Sequence, residues 1–285
     1  MNMNKLTFKE LLEKADKGGY AIPAFNFNDC WDMTAIIEAA EELKAPVIIA
    51  AFHRVLTTLS PEIVGAMGNA AIKTATVPVI LHLDHCEDVG LCKVAVDNGF
   101  TSVMIDGSKC SLEENIRMVK EVADYAHAKG VFVEAELGRI KGRDFEGIFE
   151  GGDFLIQVEE AVQLIKATGA DLLAPGIGTA HGFYKGKPEI NFKRLEEVNN
   201  AVDVPLVLHG GTGIPEEDVH KGIRNGISKV NVGTIIRHVY MTNLQDELNN
   251  MAPGTHILDI MKTVRGKIKE EAKGWIKYCM ADGKA

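Results

Sequence analysis

Eight short runs of β-branched and other apolar residues punctuate the chain, and each is followed by a stretch whose apolar positions recur at three- and four-residue spacing. The runs are AIPAFN (21–26), PVIIA (46–50), PVILHLD (78–84), TSVMID (101–106), VFVEAEL (131–137), DLLAPG (171–176), PLVLH (205–209) and SKVNV (228–232). Near-continuous apolarity, rather than strict alternation, is the pattern of parallel strands buried on both faces under helices. One further helix, at about 7–17, precedes the first run. Several helix ends are written into the sequence. Ser60-Pro61 suits an N-cap followed by N1, Ser111 with Glu114 forms an S-x-x-E capping box, and Gly130 stops the helix between them. Eight alternating units predict an α/β fold, a TIM (β/α)8 barrel with an N-terminal extra helix. The competing architecture, an open doubly wound sheet, lacks its G-x-G-x-x-G after the first run. With 285 residues, 46% of them hydrophobic, and no Pro/Gly/Ser-rich linker, the span 1–285 reads as one domain. The rhythm breaks only at 138–156, where a long loop of this kind is expected to be an active-site lid.

Three histidines, His85, His181 and His209, follow apolar runs and precede glycine-containing loops, so in a barrel they converge on one rim. Three imidazoles with no fourth protein ligand are the donor set of a catalytic Zn2+ that keeps one position open. Period two places His82 and Asp84 on one strand face; His82 reads as a core histidine. For Asp84, proton transfer and orientation of a neighbouring imidazole are both open. Asp106, Glu134 and Glu136 end the fourth and fifth runs, and the last two share a face, where they either hold a second cation or solvate the barrel mouth. In the lid, Asp144 and Glu146 are either a mobile base or two solvated carboxylates. GIGTAHGFYKGKP (176–188) joins His181 to a glycine, a lysine and a further glycine in one loop, while HGGTG (209–213) and NVGT (231–234) follow the seventh and eighth runs, where barrels commonly hold phosphate through loop amides. The other histidines, His53, His127, His220, His238 and His256, read as surface or helix-packing residues.

The formal net charge of −9 and the lack of a basic run argue against nucleic acid and anionic membrane as partners. Five cysteines without a C-x-x-C pair argue against a disulfide framework or a zinc ribbon. The amphipathic start MNMNKLTFKELL is unlike a secretory leader, and no apolar run reaches about 18 residues, so a cytoplasmic location is expected.

LHLDH, MIDGS, VEAELGRI, IGTAHGFYKGKP, VLHGGTG and KVNVGT, in this order and spacing, resemble the class II, zinc-dependent ketose-bisphosphate aldolases of the fructose/tagatose type. The resemblance runs from about residue 21 to the final helix. It implies a lyase that reversibly cleaves a ketose 1,6-bisphosphate to dihydroxyacetone phosphate and glyceraldehyde 3-phosphate. It also implies Zn2+ on His85, His181 and His209, and Asp84 moving the proton between the C4 hydroxyl and the aldehyde oxygen. The proximal phosphate falls to Gly182, Lys185, Gly210, Gly211, Thr212, Asn231 and Thr234, and the distal one to Arg237. The base is then Glu146 or Asp144, and a second divalent or a monovalent cation would fall to Asp106 and Glu136. A homodimer or homotetramer is expected. Several positions depart from the family: the lid reads KGRDFEG, Gly233 replaces an aspartate or alanine, a serine is missing near Phe52, and a D-P-R before the last helix is absent, although Arg265 keeps a helix arginine. Other readings stay open. The chain could be an aldolase joining dihydroxyacetone phosphate to a different aldehyde, or a sugar-phosphate-binding homologue without activity. A metal-dependent hydrolase usually has H-x-H on an early strand, and a lysine Schiff base would have only Lys229 to draw on.

Overall fold

A computed structural model describes residues 7–138, 141–144, 147–148 and 155–285. In chain order its strands are β1 (Ile22–Phe27), β2 (Val47–Phe52), β3 (Val79–Cys86), β4 (Ser102–Ile105), β5 (Phe132–Leu137), β6 (Lys141–Asp144), β7 (Gly147–Ile148), β8 (Leu172–Pro175), β9 (Ala180–His181), β10 (Leu206–Leu208) and β11 (Ile227–Val232). Eight of them, β1 to β5 with β8, β10 and β11, close into a parallel barrel, and β1 pairing with β11 completes the ring. This is the TIM-barrel fold, and the strand ends lie within two residues of the apolar runs. The strands are buried along almost their whole length, Ile48, Leu81, Val103 and Val133 being fully enclosed. Continuous rather than alternating apolarity follows from side chains that meet either the barrel interior or the helix ring.

The helices are α1 (Phe8–Gly18), α2 (Cys30–Leu43), α3 (His53–Leu59), α4 (Pro61–Thr74), α5 (Val89–Asp97), α6 (Leu112–His127), α7 (Val158–Thr168), α8 (Phe192–Asn199), α9 (Glu216–Arg224), α10 (Thr234–Asn250) and α11 (Ile257–Tyr278). The Ser60 hydroxyl accepts from the Ile63 amide at the start of α4, and Ser111 accepts from Glu114 at the start of α6. α1 opens with a reciprocal Thr7/Glu10 capping box and buries Phe8, Leu11, Leu12 and Ala15. Phe8 meets Phe132, the first residue of β5, edge to face at 5.8 Å, so α1 covers the N-terminal end of the barrel, away from the loops that carry chemistry.

Two local features shape the other end. The segment expected to be a lid loop is partly stranded: β6 and β7 form an antiparallel hairpin, and β6 also pairs in parallel with β9, Gly142 opposite His181. Asp144 is the last residue of β6, and Glu146 lies outside the described residues. In β3 the register with β4 shifts between Leu83 and Cys86, and His85 takes φ +45°. A strand normally sends successive side chains to opposite faces. This bulge lets Asp84 and His85, neighbours in sequence, both line the same cavity. No described helix is long and apolar enough to cross a membrane, and the five cysteines are unpaired.

Candidate active site at the barrel mouth

The imidazoles of His85, His181 and His209 come together from the ends of β3, β9 and β10. Ring centroids are 4.7 Å apart for His85 and His181 and 4.5 Å for His85 and His209, and one nitrogen from each ring lies within 4.8 Å of the others. Carboxylates fix two of the rings. His85 Nδ1 is 3.1 Å from Asp106 Oδ2, and His209 Nε2 is 2.8 Å from Glu134 Oε1. A carboxylate only accepts, so each of these ring nitrogens donates and the opposite nitrogen presents a lone pair. Those two lone pairs, on His85 Nε2 and His209 Nδ1, face one another at 2.8 Å and need a shared cation or proton. The donor set therefore fits a metal ion with imidazole ligands. His85, Asp106 and Glu136 form a second such group on the other side of the His85 ring.

The electrostatics match. Burial alone would discharge His85, but Asp84, Asp106 and Glu136 outweigh it and push the ring up to about 10. His181 and His209 are pushed down by burial and then by the charge of neighbouring rings. Burial raises Asp84 and Asp106, yet the imidazoles around them hold both carboxyls well below the usual range. Glu136 goes the other way, pushed well up by burial and by Asp106 beside it, and its Oε2 is buried with no hydrogen-bond partner among the described residues. Carboxylates crowded to mutual repulsion around one imidazole centre make a place for added positive charge.

Asp84 is 3% exposed and lines a cavity of about 520 Å³ at this end of the barrel. Two asparagines from neighbouring strands aim it: Asn26 Nδ2 donates to Oδ2 at 2.7 Å and Asn231 Nδ2 to Oδ1 at 3.1 Å. The Asn231 Oδ1 is itself buried without a partner among the described residues. Of the residues singled out for phosphate, Gly182, Gly210, Gly211 and Thr212 line the cavity, as do Asn231, Thr234 and Arg237. Lys185 does not, and is exposed. Gly210, at φ +69°, lies so close to the Ala180 carbonyl that a Cβ would collide with it. α10 begins beside this loop at Thr234 with no side-chain cap, and the Ile235 amide donates to the Thr212 hydroxyl at 3.3 Å. A helix N-terminus flanked by glycine amides favours an anion.

Other residues contribute without having been singled out by the sequence. Asn26 is a polar residue near the end of an apolar run, the one signal that could have found it. Tyr184, inside the TAHGFYKG stretch, joins two loops: its hydroxyl accepts from the Ala180 amide at 2.9 Å and donates to the Gly210 carbonyl at 3.1 Å. Glu134 does not solvate the barrel mouth. It is fully buried between His209 and Lys229, whose Nζ is 2.7 Å from Oε2. His82 is also enclosed, 2.9 Å from the Ser102 hydroxyl, and burial and Lys229 push it down to about 3. Arg265 lies away from the cavity, donating to Thr34 Oγ1 at 3.1 Å and pairing with Glu38, which fastens α11 to α2.

Fold and site define a (β/α)8-barrel enzyme whose C-terminal mouth gathers imidazoles, carboxylates and glycine loops. A family model for Fructose-bisphosphate aldolase class-II matches residues 6–284. Fructose-bisphosphate aldolase of Staphylococcus aureus is 40% identical over 281 residues, covering 96% of this chain and 97% of the relative. That of Geobacillus stearothermophilus is 40% identical over 292 residues, with 99% of each covered. The crystal structure of the YdjI aldolase from Escherichia coli K12 superposes with a TM-score of 0.86 at 35% identity, covering 97% of this chain and 98% of that one. The chain belongs to the class II fructose-bisphosphate aldolase family and is an aldolase, a carbon–carbon lyase.

Proposed function

We propose that this aldolase reversibly cleaves a ketose 1,6-bisphosphate, fructose or tagatose, to dihydroxyacetone phosphate and glyceraldehyde 3-phosphate, and that it depends on zinc. One observation carries the reading: the Asp84 carboxylate is held by Asn26 and Asn231 directly beside the three-imidazole centre. In this reading His85, His181 and His209 hold Zn2+, which supplies Lewis-acid polarisation of the ketone when bound. Asp84, kept ionised by its cationic surroundings, takes the C4 hydroxyl proton during cleavage and returns it to the aldehyde oxygen during condensation. Gly182, Gly210, Gly211, Thr212, Asn231 and Thr234, with the α10 N-terminus, hold the phosphate of the dihydroxyacetone half, and Lys185 would join them from the rim. Arg237 meets the distal phosphate. A lid carboxylate, Glu146 or Asp144, moves the C–H proton, and Asp106 and Glu136 serve a second divalent or a monovalent cation. The span 1–285 acts as one domain in the cytoplasm, as a homodimer or homotetramer. Met241, Leu248, Met251, Ile257 and Leu258 on α10, α11 and the turn between them are exposed apolar surface for such contacts.

A second reading keeps dihydroxyacetone phosphate and changes the aldehyde. It is prompted by Phe52, Val55 and Leu59, apolar residues that line the cavity beside Arg54 and Thr58. A coupled assay of triose phosphate release across a panel of ketose phosphates, with and without chelator, separates the two. Turnover of fructose or tagatose 1,6-bisphosphate that chelator abolishes supports the first reading; turnover confined to ketose monophosphates with a longer or apolar tail supports the second.

A further inference from the structure

We propose that His53, the first residue of α3, is a positioning residue for His85. The inference rests on reading His85 as a metal ligand and adds a residue outside the cavity to the machinery that aims it. Pairing of β2 with β3 stops at Phe52 opposite Asp84, because the chain after Phe52 turns into α3. From His85 onward, β3 has no strand on that side. His53 supplies the next bond from its side chain: Nδ1 is 2.7 Å from the His85 carbonyl oxygen. A carbonyl only accepts, so Nδ1 bears the hydrogen. The carbonyl it holds belongs to a non-glycine residue at φ +45°, a left-handed torsion that persists only where the surroundings enforce it. Phe52 buttresses both rings, with its centroid 4.2 Å from that of His53 and 6.4 Å, edge-on, from that of His85.

The consequence reaches in two directions. The His85 imidazole is aimed by Asp106 at its tip and, through the backbone, by His53 at its root. α3 also carries Arg54, Val55, Thr58 and Leu59 into the cavity wall, so the same bond ties the place where a substrate tail would lie to the ring that would hold the metal.

The test is zinc affinity, read by competition with a chromophoric chelator, in wild type, His53→Ala, His53→Asn and His85→Ala. Removing the support of a metal ligand typically costs ten- to a hundredfold in affinity, and His53→Ala should lose about that much while its metal-free form melts close to wild type. His53→Asn, whose side-chain amide replaces the Nδ1 donor, should recover most of the loss. Wild-type zinc affinity in His53→Ala, a loss that His53→Asn does not repair, or a lower metal-free melting point with unchanged affinity would each overturn the proposal. Nitrogen-15 spectra of the metal-free wild type supply a check that needs no variant: a His53 ring with hydrogen on Nε2 alone contradicts it. The His85→Ala control separates the two levels, since full zinc affinity there would sink the ligand reading itself.

Discussion

Asn26 fills the space that any side chain on residue 233 would need, and the same Asn26 donates a 2.7 Å hydrogen bond to Asp84. Gly233 sits at φ −111°, a torsion open to every residue, so the glycine answers to space rather than to backbone strain. Gly233→Ala should push Asn26 aside and leave Asp84 with one of its two anchors. A hydrogen bond to a charged group contributes about 1.5–3 kcal/mol, so kcat should fall roughly ten- to a hundredfold. Asn26→Ala should reproduce the loss, and the double variant should be little worse than either alone. Fully additive losses in kcat would uncouple the two residues.

Asp84 itself is the sharper case. Asp84→Ala should lower kcat by at least about 10²-fold with zinc content retained, the range for loss of a positioned proton-transfer group. Metal analysis of the purified variant decides between roles, because zinc lost along with activity would make Asp84 an orienting carboxylate instead.

Purified protein should carry about one tightly held zinc per chain. His85→Ala, His181→Ala and His209→Ala should each abolish activity and leave the barrel folded by circular dichroism, since rim residues add little to the core. Undiminished turnover after exhaustive metal stripping would contradict this.

Lys229 and Glu134 are both fully buried, 2.7 Å apart inside the barrel. Lys229→Met strands the carboxylate, and breaking such a pair costs about 3–5 kcal/mol. Burial pushes the Glu134 carboxyl up, but Lys229 and the nearby imidazoles outweigh it and hold it well below 4.5. The unfolded chain is therefore protonated first as acid is added. The stabilisation is complete above about pH 4.5 and drains away as pH falls through the lower, folded value. Without Lys229 the folded value rises toward or past the unfolded one, so the variant, less stable at neutral pH, should lose less further stability on acidification than wild type. Melting curves of metal-free wild type and variant between about pH 7 and pH 3 check this, and superimposable profiles would exclude the pair as a source of acid sensitivity.

Arg237 lines the cavity from the first turn of α10. Arg237→Ala should reduce kcat/KM for a ketose 1,6-bisphosphate by roughly ten- to a hundredfold while barely changing proton exchange into dihydroxyacetone phosphate alone. Exchange is followed by NMR in deuterated water. Equal losses in both reactions would move Arg237 to the proximal phosphate.

The barrel was legible because it is made of local signals: each buried strand is an apolar run, and Ser60, Ser111 and Gly130 mark helix ends by their own chemistry. The three histidines were legible for a related reason, each falling where a run meets a glycine-bearing loop. What escaped were contacts between segments far apart in the chain. Asn26 reaches Asp84 across 58 positions, and Glu134 meets Lys229 across 95. Nothing near Glu134 in the sequence tells a carboxylate at the mouth from one inside the barrel. His53 read only as a surface or helix-packing residue because its partner is a backbone carbonyl, which no side-chain pattern encodes. The β6–β7 hairpin is built from KGRD and GI, which lack the apolar alternation of a strand.

The left-handed torsion at His85 brings fitness for folding and fitness for chemistry together at a single residue. A sparsely populated backbone conformation costs of order 1–3 kcal/mol, a sizeable share of the 5–15 kcal/mol that separates a typical folded domain from its unfolded chain. His85→Gly would accept φ +45° without that penalty, but it also removes the ring that neutralises Asp84 and Asp106, so the metal-free variant should melt no higher than wild type and be inert. Relief of backbone strain at this position is therefore offset by uncompensated carboxylates, so heat tolerance and turnover should be lost together when residue 85 is changed.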